Sequence, residues 1–215
     1  MSEDAKARED ITRFAKSIFD RGLTCGSSGN ISMRLSDDTL LVTPTGSSMG
    51  FLDPAQISRL DANGRHLSGD QPTKEVALHT AFYDTRAATG AVVHLHPTHS
   101  VALSMLPDVD PKNVLPPLTP YTIMRLGKVK LLPFFMPGDP AMGEAVRGLA
   151  GKHSAVLLAN HGPVVAGKTL DSTVYAMEEL EETAKLAILT RSLDAIGLSD
   201  AQVSQVVRQF NVDYD

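Results

Sequence analysis

The sequence predicts an α/β (α+β) fold, with helices flanking a central, mostly antiparallel β-sheet, in one domain over residues 1–215. Helical and strand-like hydrophobic periods alternate along the chain, which is typical of this fold class. The early strand-like runs are joined by short turns, and strands joined in that way pair antiparallel. A length of 215 residues favours one domain. The 42% hydrophobic and 21% charged residues exclude intrinsic disorder.

The chain is predicted to begin with a helix over residues 4–21. Ile11, Phe14 and Ile18 recur at helical spacing with charges between them, and Gly22 is a stop signal. Turn residues and apolar alternation then predict three short elements: a hairpin over residues 31–42, a short helix at Asp53-Pro54 and a tight hairpin at Asn63-Gly64.

The later elements alternate helix and strand. They are a helix over 74–83, an apolar strand over 91–96 closed by Pro97, a strand over 129–132, a helix from Asp139-Pro140, a strand over 155–159, a long helix over 170–196 and a last helix capped by Ser199. Five prolines between residues 107 and 120 prevent regular structure there. We expect this proline-rich segment to be a long surface connection with a contact or gating role.

Charge and composition exclude several classes of partner. Lys and Arg number 20 against 25 Asp and Glu, a net charge of −5, and no segment concentrates the basic residues, so nucleic-acid binding is not expected. The single cysteine, Cys25, excludes an internal disulfide. No apolar run approaches the roughly 20 residues of a membrane-spanning helix. The acidic start at Met1 does not have the form of a signal peptide, so we expect a cytoplasmic protein.

Two histidines on the apolar strand indicate a metal site. His94 and His96 lie two residues apart, so on a strand both rings leave the same face. His161 follows the strand at 155–159 and is the candidate for a third ligand. Three imidazoles with an open fourth position are typical of catalytic zinc. The alternative is a pair of ordinary polar side chains on a half-exposed strand, but the apolar flanks favour an interior strand and a metal.

The other histidines are weaker candidates. His99 could compete as a ligand, but Pro97 separates it from the pair on the strand. His66 and His153 lie in polar, loop-like segments and are interpreted as surface residues.

Glu75, at the start of the helix before the metal strand, has two interpretations. It could complement the helix dipole, or it could move protons beside the metal and occupy the metal's vacant position. Loops with small side chains and one ammonium group lie nearby in sequence and could bind a phosphate, although tight turns alone would also explain them. The residues concerned are Ser28, Gly29, Asn30, Thr45, Gly46, Thr73 and Lys74.

Over about residues 5–200 the chain resembles the class II aldolase family that includes L-fuculose-phosphate aldolase and L-ribulose-phosphate 4-epimerase. The resemblance rests on ordered motifs: Ser28-Gly29-Asn30-Ile31-Ser32, Thr43-Pro44-Thr45-Gly46, the Glu75 helix, His94-Leu95-His96 and Asn160-His161-Gly162. It implies a cyclic homotetramer with active sites between subunits, and a divalent metal, usually zinc with manganese also possible, on His94, His96 and His161. It further implies that Glu75 is the acid/base and can occupy the metal's open position.

The same resemblance implies a phosphorylated sugar substrate. Asn30, Thr45, Gly46, Thr73 and Lys74 match phosphate-site positions, although Thr73-Lys74 stands where the fuculose-type aldolase carries paired serines. Tyr121 matches a tyrosine that the aldolase supplies to the neighbouring subunit's site, whereas the epimerase has an aspartate proton donor near there.

The branch of the family is indicated by two blocks, 93–102 and 178–185, which are most similar to 3-oxo-tetronate 4-phosphate decarboxylases. That branch implies release of CO2 from a phosphorylated four-carbon acid sugar, leaving dihydroxyacetone phosphate. Two alternatives stay open: a class II sugar-phosphate aldolase that cleaves a ketose phosphate, and a non-catalytic assembly module like the adducin head.

Overall fold

The computed structural model describes residues 1–214, in which eight strands form one sheet. The strands are β1 (Asn30–Arg34), β2 (Leu40–Val42), β3 (Ser58–Leu60), β4 (His66–Ser68), β5 (Ala91–His94), β6 (Lys130–Leu132), β7 (Ala155–Leu158) and β8 (Gly162–Gly167). The helices are α1 (Glu3–Asp20), α2 (Val76–Thr85), α3 (Thr98–Ser104), α4 (Pro120–Leu126), α5 (Ala141–Arg147), α6 (Leu170–Thr190) and α7 (Asp200–Phe210). Short 3₁₀ turns cover Met49–Phe51 and Pro54–Gln56.

The strand order across the sheet is β4-β3-β2-β1-β5-β8-β7-β6. Neighbouring strands run antiparallel except β6 and β7, which are parallel. The exception follows from the connection, because the chain between these two strands crosses over through α5. The predicted α/β class with a mostly antiparallel sheet is therefore confirmed.

Each face of the sheet packs against helices in its own hydrophobic core. Ile31 of β1 and Val93 of β5 point to the face that is covered by α1, α3 and α6. Val92 points to the opposite face, where α2 and α5 supply Phe82 and Met142. This alternation is the period of two of a strand, and it sets which polar side chains lie beneath α2.

The N-terminal elements agree with the sequence prediction. In α1 the side chain of Ser2 accepts a hydrogen bond from the Ala5 amide, and Ile11 and Ile18 are fully buried. The hairpins β1–β2 and β3–β4 form as predicted. The last helix, α7, begins at a capping box that Ser199 makes with Gln202.

Two helix predictions need correction. The helix expected over 74–83 covers 76–85, so Glu75 is its N-cap rather than its second residue. The helix expected to reach residue 196 ends at Thr190. Beyond it Leu193 and Ile196 are 64% and 98% exposed, so no core contact stabilises further helical turns.

The histidine strand ends earlier than predicted, and three elements, α3, α4 and β8, were not predicted at all. β5 stops at His94, and Pro97 becomes the N-cap of α3 rather than a simple terminator. β8 was missed because it opens with Gly162 and Pro163, which usually signal a turn. Pairing with β5 on one side and β7 on the other overrides that local signal.

The proline-rich segment has no helix or strand between Met105 and Thr119, as predicted. Its expected surface position is wrong at Val114 and Leu115, which are 2% and 1% exposed and belong to the core under α6. The Val114 amide donates to the Val129 carbonyl at 2.8 Å, which anchors this part of the segment. Among the helices within residues 1–214, none is long and apolar enough to cross a membrane.

Candidate metal centre and active site

The site lies where β1, β5 and the start of α2 meet. Asn30 and His94 are direct partners in the antiparallel β1–β5 ladder, so their side chains lie side by side on one face of the sheet. Glu75 caps α2 above them and is 7% exposed. Two polar strand residues and a carboxylate therefore share one end of the buried face beneath α2.

Three imidazoles converge at this point, and their available nitrogen atoms lie within 4.8 Å of one another. The Nε2 atom of His94 is 3.0 Å from Nε2 of His96 and 3.4 Å from Nε2 of His161. Tetrahedral ligands at a Zn–N distance of about 2.0–2.1 Å stand about 3.3 Å apart, so the observed spacing suits zinc. The structure thus brings together the three histidines that the sequence indicated.

The hydrogen bonding of His94 fixes which of its nitrogens faces the centre. Its Nδ1–H donates to the Pro163 carbonyl at 2.8 Å, which leaves the lone pair of Nε2 directed at the other two rings. Nε2 of His96 and Nε2 of His161 face this lone pair at 3.0 and 3.4 Å, so a cation between the three nitrogens could be bound by all of them. The donor set therefore fits a divalent cation.

His161 is placed by the short turn between β7 and β8. Asn160 adopts a φ of 55°, and the His161 amide donates to the Leu158 carbonyl at 3.2 Å. The turn packs closely on the His94–His96 segment, since a Cβ at Gly162 would stand 2.3 Å from the Leu95 carbonyl oxygen. Within residues 1–214 the buried Nδ1 atom of His161 has no hydrogen-bond partner.

Two of the three rings, His96 and His161, have a lowered pKa, which favours the neutral state that metal binding needs. Burial, with the neighbouring His94 and His161 rings adding to it, lowers the pKa of His96 to about 3. Burial also lowers the pKa of His161. Burial alone would raise the pKa of Glu75, but His94 and the Asn30 amide together outweigh it, and this pKa is lowered. Glu75 is therefore a carboxylate at rest.

Glu75 faces the histidines from a fourth side. Its Oε2 is 3.5 Å from His94 Nε2, and its Oε1 is 3.6 Å from His161 Nε2. The amide of Asn30 donates through Nδ2 to Oε2 at 2.7 Å and to Thr73 Oγ1 at 3.2 Å. A carboxylate in this position can occupy a vacant ligand position or move protons next to the metal.

The loops expected to bind phosphate lie next to one another beside Glu75. The Thr45 amide donates to the Gln71 carbonyl at 2.9 Å, and the Thr73 amide donates to the Thr43 carbonyl at 3.3 Å. Thr45, Gly46 and Lys74 are exposed, whereas Asn30 and Thr73 are buried. Ser28 bonds locally to the Cys25 carbonyl through its hydroxyl, and Gly29 lies against the His94 carbonyl.

Tyr121 and the remaining histidines lie outside this cluster. Tyr121 is 59% exposed in the first turn of α4, which packs on α6 and α7. Within residues 1–214, it takes no part in the hydrogen bonds of the three histidines or Glu75. His99 bonds through Nδ1 to Glu181 at 2.8 Å, His66 is exposed, and half-buried His153 bonds to the Lys128 carbonyl.

The sequence analysis did not single out His79, which is 2% exposed and bonds to Asn30. The spacing between His79 and Glu75 in the sequence could have identified it. His79 follows Glu75 by four residues, and residues four apart share one face of a helix.

Fold and site together define a class. Residues 9–188 match the family described as the class II aldolase and adducin N-terminal domain, and the chain belongs to this family. It is 50% identical over 193 residues to the 3-oxo-tetronate 4-phosphate decarboxylase of Escherichia coli, covering 88% of this chain and 91% of that protein. It is 34% identical over 187 residues to the L-fuculose phosphate aldolase of Methanococcus maripaludis, covering 86% and 99%.

A solved structure gives the same result. The crystal structure of YgbL from Escherichia coli matches with a TM-score of 0.93 and 45% sequence identity. The match covers 95% of this chain and 99% of that chain.

Proposed function

We propose that the protein is a metal-dependent decarboxylase that converts a 3-oxo-tetronate 4-phosphate to dihydroxyacetone phosphate and CO2, in the cytoplasmic breakdown of four-carbon acid sugars. The observation that carries the chemistry is the convergence of three imidazole Nε2 atoms with the Glu75 carboxylate at 3.5–3.6 Å. The substrate class is supported by the decarboxylase that is 50% identical over most of both chains.

Zinc is the metal we propose, with manganese as the alternative. His94, His96 and His161 would hold it, since three neutral imidazoles at tetrahedral spacing suit zinc better than a carboxylate-rich set would. When bound, the cation would act as a Lewis acid that stabilises the negative charge left on the substrate's oxygens as CO2 departs.

The protein's own groups would bind the substrate and supply the proton. Thr45, Gly46 and Lys74 present an exposed hydroxyl, backbone amide and ammonium beside Glu75, which suits the 4-phosphate, with Ser28, Gly29, Asn30 and Thr73 completing the site. Loss of CO2 breaks the C1–C2 bond and leaves the electron pair on an enediolate. Glu75, after taking up a proton from water, would deliver it to C2, giving dihydroxyacetone phosphate.

A second subunit completes the site in this proposal. Tyr121 is exposed and does not bond to its own chain's histidines or Glu75 within residues 1–214. We therefore assign it to the site of a neighbouring subunit in a homotetramer, where it assists protonation.

The test is a substrate panel with product analysis. The purified protein should release CO2 and dihydroxyacetone phosphate from a 3-oxo-tetronate 4-phosphate, and a chelator should abolish the activity. His94→Ala should lose both metal and turnover, whereas Glu75→Gln should keep the metal and lose proton exchange at the product carbon. Full turnover by a metal-free His94→Ala protein would contradict the mechanism.

An aldolase is the second candidate, favoured by the 34% identity to an L-fuculose phosphate aldolase. The same histidines and carboxylate could stabilise the charge left by aldol cleavage. Release of an aldehyde from a ketose phosphate, without CO2 from the oxo acid, would establish it. An adducin-like assembly role would instead be indicated by protein that neither contains nor takes up metal.

A further inference from the structure

A chain of buried polar side chains runs behind Glu75. It starts at Asn30, passes through His79 and Ser32, and ends at Tyr83; these four residues are 6%, 2%, 1% and 5% exposed. Nε2 of His79 bonds to Asn30 Oδ1, Nδ1 of His79 lies 2.7 Å from Ser32 Oγ, and Ser32 Oγ lies 2.8 Å from the Tyr83 hydroxyl.

Two periodicities bring these side chains together. Asn30 and Ser32 are two residues apart on β1 and point to the same face of the sheet. Glu75, His79 and Tyr83 recur every four residues at the start of α2 and along it, so they form a row above that face. The polar row of the helix therefore lies over the polar pair of the strand.

Counting the donors and acceptors of these four side chains determines which group donates in each hydrogen bond. The Asn30 NH2 group donates to the Glu75 carboxylate, which can only accept, so Asn30 Oδ1 must be the atom that faces His79. Nε2 of His79 then carries the proton, and its Nδ1 accepts from the Ser32 hydroxyl. Ser32 Oγ in turn accepts from Tyr83.

We propose that His79 is a positioning residue that locks the Asn30 amide with its NH2 group toward Glu75. Without the Nε2–H donor, the Asn30 amide could rotate and place Oδ1 against the carboxylate, where two acceptors would repel each other. The lock holds Oε2 of Glu75 through the 2.7 Å bond from Asn30. It leaves Oε1, 3.6 Å from His161 Nε2, as the oxygen that transfers the proton.

This series of hydrogen-bonded side chains, from Tyr83 to Asn30, does not act as a proton relay. A relay needs groups that can both accept and release a proton, and the Asn30 amide between His79 and Glu75 does not titrate. In this proposal His79 acts on the Glu75 carboxylate by fixing the orientation of the Asn30 amide. The kinetic test of this role rests on the proposed function, whereas the spectroscopic test does not.

The first test is spectroscopic and independent of activity. Nitrogen NMR of protein with labelled histidine, both chelator-treated and zinc-loaded, should show His79 as the Nε2–H tautomer. In His79→Gln the side-chain amide resonances of Asn30 should stay near their wild-type positions, because glutamine can still donate to Oδ1. Finding the Nδ1–H tautomer at His79 would overturn the proposal.

The second test is kinetic. His79→Leu, which removes the donor, should lower kcat by about 10- to 100-fold with KM and metal content nearly unchanged, because the carboxylate is misplaced. His79→Gln should recover most of kcat. Tyr83→Phe is the matched control, since Ser32 can still donate to His79, and its kcat should stay within about twofold of wild type.

The outcomes separate the possibilities. A wild-type kcat in His79→Leu would refute the positioning role. So would a loss of kcat in Tyr83→Phe and His79→Gln as large as the loss in His79→Leu. If His79→Leu does not fold, His79→Gln and the tautomer still decide the matter. If the wild-type protein releases no CO2 but His79 is the Nε2–H tautomer, the proposed reaction is wrong and the positioning of the Asn30 amide by His79 is still supported.

Discussion

Gly29 shows at the scale of one residue how closely the backbone fits around the metal centre. Its φ is +83°, a conformation that side chains with a Cβ rarely adopt. A Cβ at this position would also stand 2.9 Å from the carbonyl oxygen of His94 and 3.0 Å from the Leu95 side chain. The loop that precedes β1 therefore packs directly on His94, one of the three proposed metal ligands.

We expect Gly29→Ala to be more harmful than Gly26→Ala, its matched control in the same loop. Gly26 also has a positive φ, +58°, but nothing lies within 4 Å of a Cβ there. The control should cost roughly 1–2 kcal/mol of backbone strain, and Gly29→Ala about 1–3 kcal/mol more from overpacking, together with weaker zinc binding. Urea unfolding and zinc titration measure both effects; equal losses in the two variants would contradict the close contact.

His79 should make the stability of the metal-free protein depend on pH. Burial first, and the charge of His94 second, lower the pKa of His79 to about 3, against 6.5 for a free imidazole. The unfolded chain binds this proton between those values and the folded chain does not, so stability falls as the pH falls below about 6.5.

By about pH 5 this one ring accounts for a loss of about 2 kcal/mol relative to neutral pH. Urea unfolding of wild type and His79→Gln in chelator at both pH values should show a smaller loss in the variant. The lowered pKa of His96 acts in both proteins and cancels in the comparison. Identical losses would show that His79 titrates normally in the folded state.

Sequence reasoning found the site residues that are marked by a short motif or by their position next to a predicted element. His94 and His96 share a motif, and His161 and Glu75 stand at the ends of predicted elements. It did not find the bond from Asn30 to Glu75, because Asn30 is 45 residues away in the chain and its partner depends on how α2 lies across β1. Asn30 was interpreted only as a phosphate ligand for the same reason.

At the scale of elements, α3 connects the two segments that carry the proposed metal ligands. Glu181 of α6 is 8% exposed and lies at the start of α3. Its carboxylate accepts hydrogen bonds there from the amides of His99 and Ser100, the His99 ring and the Ser100 hydroxyl. At the other end of α3, Ser104 Oγ accepts from the Asn160 amide at 3.0 Å, next to His161. The helix thus spaces His96 from His161.

Glu181→Gln should therefore destabilise the fold by about 2–3 kcal/mol, because hydrogen bonds to a buried charge are stronger than neutral ones. Glu182→Gln is the control on the same helix. The Glu182 side chain is 61% exposed and pairs with Lys185 at 3.6 Å, so its loss should stay within about 0.5 kcal/mol. Thermal or urea unfolding compares them; similar values would mean that Glu181 does not anchor α3.

Two of the elements that sequence reasoning missed, α3 and β8, have local signals that conflict with their surroundings. α3 is a seven-residue helix directly after Pro97, and its first turn is held by a side chain from another helix. β8 begins with turn-forming residues and becomes a strand because neighbours on both sides pair with it. By contrast α1, with a full apolar stripe, and α7, with its capping box, carried their own signals.

At the scale of the whole molecule, the proposal that subunits share active sites predicts complementation between two inactive variants. Glu75→Gln lacks the proton-transfer carboxylate, and Tyr121→Phe lacks the exposed hydroxyl assigned to the neighbouring site. In randomly mixed oligomers, a site that draws Glu75 from one variant and Tyr121 from the other should restore about a quarter of the wild-type rate.

Co-expression of the two variants, followed by assay of the purified mixture, makes this measurement. Each variant alone is the control. A mixture no more active than the sum of its parts would place Tyr121 outside the shared site.

The position of the three proposed metal ligands also affects how firmly the two parts of the sheet are joined. β1–β5 come from residues 30–94 and β6–β8 from residues 130–167, and the two groups meet only where β5 pairs with β8. His94 and His96 belong to the first group, and His161 to the second. A metal ion bound to all three histidines would therefore hold the two groups of strands together. Without the proposed metal, we expect the protein to open more readily between β5 and β8 and to be degraded sooner.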